Sequence, residues 1–127
     1  MESQLKRACL IVTGIELFGH HGATRDEQAK GNRFRIDLKL EGAFEKALGS
    51  DRLEDTVDYS QIVQTVGEIN RANRYILIES FADAIADSLL KRFSKLRKIS
   101  VRVAKLNPPG LKEKVSCAAI DLTKERA

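Results

Sequence analysis

The sequence predicts an α+β fold: a four-stranded antiparallel sheet with two helices packed on one face. Three observations lead there. Two stretches near the start and two near the end carry the alternating or β-branched character of strands. Between them lie two stretches whose apolar residues recur at helical spacing. The resulting order is ββααββ, and helices grouped between strand pairs belong to an antiparallel sheet rather than a parallel one. The other sheet face must be polar or covered by another subunit, so a homo-oligomer is expected.

Residues 8 to 20 are rich in β-branched and aliphatic side chains and form the first strand, with Gly19 and Gly22 punctuating its end in "FGHHG". In "RFRIDLKLE", Phe34, Ile36, Leu38 and Leu40 face one way and Arg35, Asp37 and Lys39 the other, a half-buried strand. A turn-like segment follows. Asp58 then caps a helix whose buried face is Ile62, Val63, Val66 and Ile69. The next helix begins near Ile78 and carries a continuous stripe through Phe81, Ala82, Ile85, Leu89 and Phe93. "KISVRVAK" alternates Ile99, Val101 and Val103 as the third strand, with Lys105 at its end before "NPPG". "VSCAAIDLT" is a shorter fourth strand.

A chain of 127 residues, 43% hydrophobic and 31% charged, fits one globular domain spanning residues 1–127. No apolar run approaches the roughly 20 residues that a bilayer requires. The start "MESQLKRACLIV" has basic residues before an apolar run, but Ala8 to Val12 is short for a secretory h-region, so a cytoplasmic protein is expected. Cys9 and Cys117 lack metal or redox spacing and read as small buried hydrophobes. The net charge of +4 is mostly interleaved, except in "KRFSKLRK". That run is either a helix C-terminus whose cations oppose the macrodipole or a nucleic-acid surface. The lack of tryptophan and scarcity of aromatics disfavour single-strand stacking.

Glu79 follows four apolar residues in "RYILIESFADAI". Glu79, Asp83, Asp87 and Lys91 form one longitudinal row, which is either solvated or, at Glu79 alone, part of a site. Glu79 sits in the first turn, where the helix dipole and free N–H groups favour an anion beside a ligand edge. Lys105 is a snorkelling lysine or a partly buried base. Tyr59, at a helix start, reads as a packing residue with its hydroxyl at the rim. His20 and His21 are adjacent and point apart, which disfavours joint metal binding. No G-x-S-x-G, phosphate loop or dinucleotide fingerprint occurs.

These signals gain meaning together. G-x-H-G at Gly19 to Gly22, the acidic–glycine segment Glu27 to Gly31, D-T-V-x-Y at Asp55 to Tyr59, L-I-E at Leu77 to Glu79 and K-x-N-P-P at Lys105 to Pro109 occur in one order. In that order the chain resembles the dihydroneopterin aldolase family, from about Ala8 to Pro109 with a weaker tail to about Thr123. The pattern departs after Pro109, where "GLKEKVSCAAI" replaces the family's usual I-P-G and glycine-rich stretch.

The resemblance implies the tunnelling fold, with four sheets closing into a barrel, two rings stacking as an octamer, and sites between neighbouring subunits. It implies that Glu79 anchors a pterin by accepting hydrogen bonds from its 2-amino and ring N–H groups, with the backbone near Leu77 and Ile78 completing that edge. Val57, Asp58 and Tyr59 would close over the ring from a neighbouring subunit. The implied reaction splits 7,8-dihydroneopterin into 6-hydroxymethyl-7,8-dihydropterin and glycolaldehyde. The dihydropterin C=N bond would take the electrons, so no metal, Schiff base or other cofactor is expected. Lys105 would help remove the 2′-hydroxyl proton through water, Tyr59 would assist proton delivery, and Glu27 would hold the hydroxyl tail. Relatives also epimerise dihydroneopterin or prefer its triphosphate, so a 2′-epimerase is an alternative. A non-catalytic pterin-binding or nucleic-acid-binding assembly is another.

Overall fold

The computed structural model describes residues 5–127; Met1 to Gln4, part of the leader-like start considered above, lie outside them. The elements run β1 (Cys9–Gly19), α1 (Arg25–Lys30), β2 (Asn32–Gly42), α2 (Glu45–Ser50), a 3-10 turn (Leu53–Asp55), α3 (Tyr59–Ala72), α4 (Ile78–Arg92), β3 (Leu96–Leu106) and β4 (Cys117–Glu125). The strands form one antiparallel sheet in the order β1-β2-β3-β4. The expected ββααββ order stands, with two six-residue helices added in the connections.

The core lies between the sheet and the two long helices. Phe34, Ile36, Leu38 and Leu40 of β2 and Leu96, Ile99, Val101 and Val103 of β3 are buried. Against them α4 sets Phe81, Ala82, Ile85 and Leu89, and α3 sets Ile62 and Val66. The apolar stripe read along α4 is therefore its buried face, with Ile78 and Phe93 half-buried at its ends. Each fully buried Ile, Leu or Phe contributes about 1.5–3 kcal/mol, so this face alone accounts for where α4 sits.

The opposite face of the sheet is mostly polar, although Ile11 and Phe18 of β1 stand exposed on it. Arg102 makes two hydrogen bonds to Asp121, at 2.6 and 2.8 Å, and Ser100 lies 3.1 Å from Thr123. Asp37 accepts from the Gly14 amide at 2.7 Å, where β1 shifts register between Val12 and Ile15.

Three expectations need correction or refinement. Cys9 and Cys117 are exposed, because β1 and β4 are the two sheet edges and each cysteine lies at a strand's first residue. Asp83 and Asp87 are not simply solvated. Asp87 pairs with Lys91 at 2.9 Å, and Lys124 of β4 also reaches Asp83 at 3.1 Å and Asp87 at 3.5 Å. The basic run is divided between elements. Lys91 and Arg92 occupy the last turn of α4, Arg92 pairs with Glu68 at 2.9 Å, and Lys98 lies 3.9 Å from Glu41.

Candidate active site

The end of β1 and the short helix after it build one half of the site. Thr24 caps α1 by accepting from the Glu27 amide at 3.1 Å, and the chain leaves the helix at Gly31, whose amide donates to Glu27 O at 2.9 Å. This places Glu27 half-buried against Gly22. A methyl group at Gly22 would lie 2.5 Å from Glu27 Cβ and 2.8 Å from its Oε2, so only glycine admits the carboxylate here.

Glu27 meets Lys105 across the fold. Lys105 Nζ donates to Glu27 Oε2 at 2.5 Å, and the two side chains are only 15% and 11% exposed. Lys105 pairs in register with buried Phe34 and follows Ile99, Val101 and Val103 on the helix-covered face of the sheet, so it stands at the end of the core. The Lys105 ammonium, chiefly through this hydrogen bond, holds the Glu27 carboxyl below its ordinary value, and burial opposes it. The pair is thus a screened, charge-assisted unit rather than a surface ion pair.

Leu77, Ile78 and Glu79 begin α4 at the same end. Tyr75 fixes their approach: its carbonyl accepts from the Gly22 amide at 2.9 Å and its amide donates to His21 Nδ1 at 3.1 Å. Two residues after Glu79, the Phe81 ring lies 4.3 Å from the His21 ring. Leu77 and Glu79 are exposed and Ile78 half-buried. The first bond within α4 runs from the Phe81 amide to Leu77 O, and among the described residues no side chain caps the helix. The first-turn amides and the Glu79 carboxylate are therefore presented together.

Val57, Asp58 and Tyr59 are elsewhere. Asp58 caps α3 as expected, its carboxylate accepting from the Ser60 amide at 2.9 Å. Val57 is buried and Tyr59 is 62% exposed. Asn70, near the other end of α3, bonds His21 Nε2 at 2.8 Å. Eleven residues of helix separate Tyr59 from that bond, about 16 Å along the axis. An open hollow of about 450 Å³ lies beside this end, bordered by Val57, Asp58, Gln61, Arg92, Phe93 and Lys95. The structure thus gathers Glu27, Lys105 and Leu77–Glu79 at one end and leaves Val57–Tyr59 at the other.

Residues given no role of their own from the sequence support both ends. Asn70 and Tyr75 have no sequence signal, since each meets His21 only through the fold. Asp55 is buried and accepts from Ser50 Oγ at 2.5 Å, anchoring the approach to Val57. α1 did have a signal: Thr24 and Glu27 form an S/T-x-x-E capping box closed by Gly31. Among the described residues, no group of three His, Cys, Asp or Glu could hold a metal ion.

The family profile described as "FolB: Dihydroneopterin aldolase" matches residues 10–123, most of the chain. The chain belongs to the dihydroneopterin aldolase family. As such it is an aldolase of folate biosynthesis, a lyase. It is 36% identical over 100 residues to the dihydroneopterin aldolase of Streptococcus pyogenes serotype M18, covering 79% of this chain and 84% of that one. It is 31% identical over 118 residues to that of Bacillus subtilis strain 168, covering 93% and 98%. Among solved structures, E. coli dihydroneopterin aldolase in complex with neopterin matches with TM-score 0.83 at 20% identity, covering 92% of this chain and 98% of that one. A Burkholderia thailendensis dihydroneopterin aldolase bound to guanine matches with TM-score 0.77 at 22% identity, covering 95% and 93%. A Bacillus fastidious uricase shares the fold at TM-score 0.73 and 8% identity over 97% of this chain and 49% of that one. These neighbours fix the fold as the tunnelling fold of the aldolases and uricases.

Proposed function

We propose that this dihydroneopterin aldolase builds each site from two copies of the chain. One copy supplies Glu27, Lys105 and Leu77–Glu79, and its neighbour supplies Val57–Tyr59. The observation that supports this most is the separation of about 16 Å along α3 between Tyr59 and the Asn70–His21 bond. A single chain cannot bring its own Tyr59 to its own Lys105 without dismantling α3. The two edge strands, β1 and β4, offer the surfaces on which sheets of neighbouring copies join, in a homo-tetramer or octamer.

On this reading Glu79 accepts two parallel hydrogen bonds from the pterin's amino and ring N–H groups, and the uncapped amides after Leu77 meet the adjoining carbonyl. Neopterin and guanine, the ligands named for two solved relatives, share that amine-and-carbonyl edge. The Glu27–Lys105 unit receives the 2′-hydroxyl proton through a water. The C1′–C2′ bond then breaks, glycolaldehyde leaves, and the electron pair enters the ring C=N bond. A proton delivered to C1′ with the help of Tyr59 gives 6-hydroxymethyl-7,8-dihydropterin.

Mixing two inactive variants tests the composite site. Lys105→Ala and Tyr59→Ala chains, dissociated and reassembled together, should recover about a quarter of the wild-type rate, the statistical share of correctly ordered neighbours. No recovery in a mixed oligomer would place the site within one chain. The 2′-epimerase alternative is read in the same assay, by whether the epimer accumulates in place of glycolaldehyde.

A further inference from the structure

His21 is 1% exposed, and the chemistry above does not use it. Its ring packs against three others, with centroids 5.2 Å from Phe34, 5.3 Å from Tyr75 and 4.3 Å from Phe81. Both ring nitrogens are engaged, and their partners assign the proton. The Tyr75 amide can only donate, so Nδ1, at 3.1 Å, must present its lone pair. The remaining proton then sits on Nε2 and is donated to Asn70 Oδ1 at 2.8 Å. Asn70 is itself oriented, because its Nδ2 donates to Phe18 O at 2.9 Å. A protonated ring would turn an N–H against the Tyr75 N–H. Burial lowers the His21 pKa below its ordinary value; the hydrogen bond to Asn70 opposes this, and charge on His20 and Lys105 acts in the same sense as burial.

The neighbouring glycines make room for this arrangement. A methyl group at Gly19 would lie 2.6 Å from both Asn70 Oδ1 and His21 Nε2. Gly22 admits Glu27 and donates to Tyr75 O, as described above. His21 and Gly22 together therefore hold Tyr75 by both its amide and its carbonyl. Tyr75 is four residues before Glu79, and Gly22 is the residue on which Glu27 rests.

We propose that His21, as the neutral Nε2-protonated imidazole, is the positioning residue of the site: by holding the Tyr75 amide it sets where the Leu77–Glu79 edge stands relative to the Lys105–Glu27 pair. This rests on the pterin reading given above.

Two substitutions separate the ring's two bonds. In His21→Asn the side-chain oxygen occupies the place of Nδ1 and can accept from Tyr75. In His21→Gln the amide nitrogen occupies the place of Nε2 and can donate only to Asn70. Three quantities are measured on the assembled protein: hydrogen exchange of the Tyr75 to Glu79 amides, neopterin dissociation constant, and melting temperature. Both variants should melt lower by similar amounts. Tyr75 exchange and the neopterin dissociation constant should rise about tenfold more in His21→Gln than in His21→Asn, as loss of one buried hydrogen bond implies. Equal changes in the two variants, tracking the melting temperature, would overturn the proposal and leave His21 a packing residue. Faster Tyr75 exchange in His21→Gln with unaltered neopterin affinity would overturn it too.

A wild-type chain that bound no neopterin would instead overturn the pterin reading, while the exchange contrast still decided whether His21 holds the segment. Should both variants fail to fold, the ¹⁵N shifts of His21 in the wild type decide: a neutral ring with the proton on Nε2 is expected, and a proton on Nδ1 at neutral pH refutes the assignment.

Discussion

The two ends of α3 contrast in how their functional residues are held. At the Asn70 end, Glu27, Lys105 and His21 are mostly withdrawn from solvent, and each makes a side-chain hydrogen bond to another part of the chain. At the Asp58 end, Tyr59 stands exposed on the first turn of its helix, and only the backbone beneath it is anchored, through buried Val57 and the Ser50–Asp55 bond. The first end is tied together by bonds within one chain; the second ends in an exposed side chain. A substitution at the first end should therefore disturb folding and chemistry together, whereas one at the second should disturb chemistry alone.

The largest effects are expected at the first end. On the composite-site proposal Glu79→Ala removes the carboxylate that would receive two donors, and neopterin affinity should fall by about a hundredfold or more. Fluorescence titration measures this, and near-normal affinity would remove Glu79 as the anchor. Lys105→Ala should still bind neopterin but turn over about a thousandfold more slowly, within the range for losing an acid–base group. Because Glu27 then keeps a half-buried charge without its partner, the same variant should also melt lower than the wild type.

Tyr59→Phe sharpens the contrast from the other side. Its kcat should fall about a hundredfold, yet its melting temperature should match that of the wild type, since an exposed hydroxyl with no hydrogen-bond partner among the described residues supports nothing there. A drop in melting temperature as large as that of Lys105→Ala would break the distinction between the ends.

The sequence revealed the scaffold well and the assembly of the site poorly, for physical reasons. β2 and α4 were legible because each buries one face over many residues, and a sustained period of two or near four arises from little else. α1 was not, since it buries no residue and is too short to show a period; only its Thr24–Glu27 box marks it. The Glu27–Lys105 pair spans 78 positions and the His21–Asn70 bond 49, so neither leaves a local trace. The motif resemblance named Glu27, Tyr59, Glu79 and Lys105 as a group. The fold was needed to show that one of the four stands at the opposite end from the others.

Gly22→Ala tests how tightly the first end is built. The added methyl must displace Glu27, at a cost of about 1–3 kcal/mol in a packed site. Urea denaturation should show that loss, together with a fall in kcat, because the displaced carboxylate no longer meets Lys105. Gly49→Ala, in α2, is the control, where a methyl would meet nothing within 4 Å among the described residues. Equal behaviour of the two variants would show that Glu27 accommodates freely.

Acid should reach the two ends at different pH, and this is the smallest effect. The folded-state pKa of His21 is lowered from the ordinary 6.5 by burial. As pH falls through about 6.5 the unfolded chain takes up a proton that the folded chain refuses, so stability declines with falling pH from that point. Among the groups facing His21, the hydrogen bond to Asn70 opposes burial and raises the pKa, while the charges of His20 beside it and Lys105 from β3 lower it, so the net shift stays downward. Glu27 and, at the other end, Asp55 are also lowered, from ordinary values of 4.5 and 3.8, by Lys105 and by the Ser50 hydroxyl respectively. Their stabilisation is complete above those values and is lost only as pH falls through still lower ones. Between pH 7 and 5, then, His21 is the group at either end whose shift makes stability fall. Urea midpoints measured over that range should decline in the wild type and stay nearly level in His21→Phe, which keeps the ring packing and has nothing to titrate. An equal decline in His21→Phe would mean that the first end is no more sensitive to mild acid than the second.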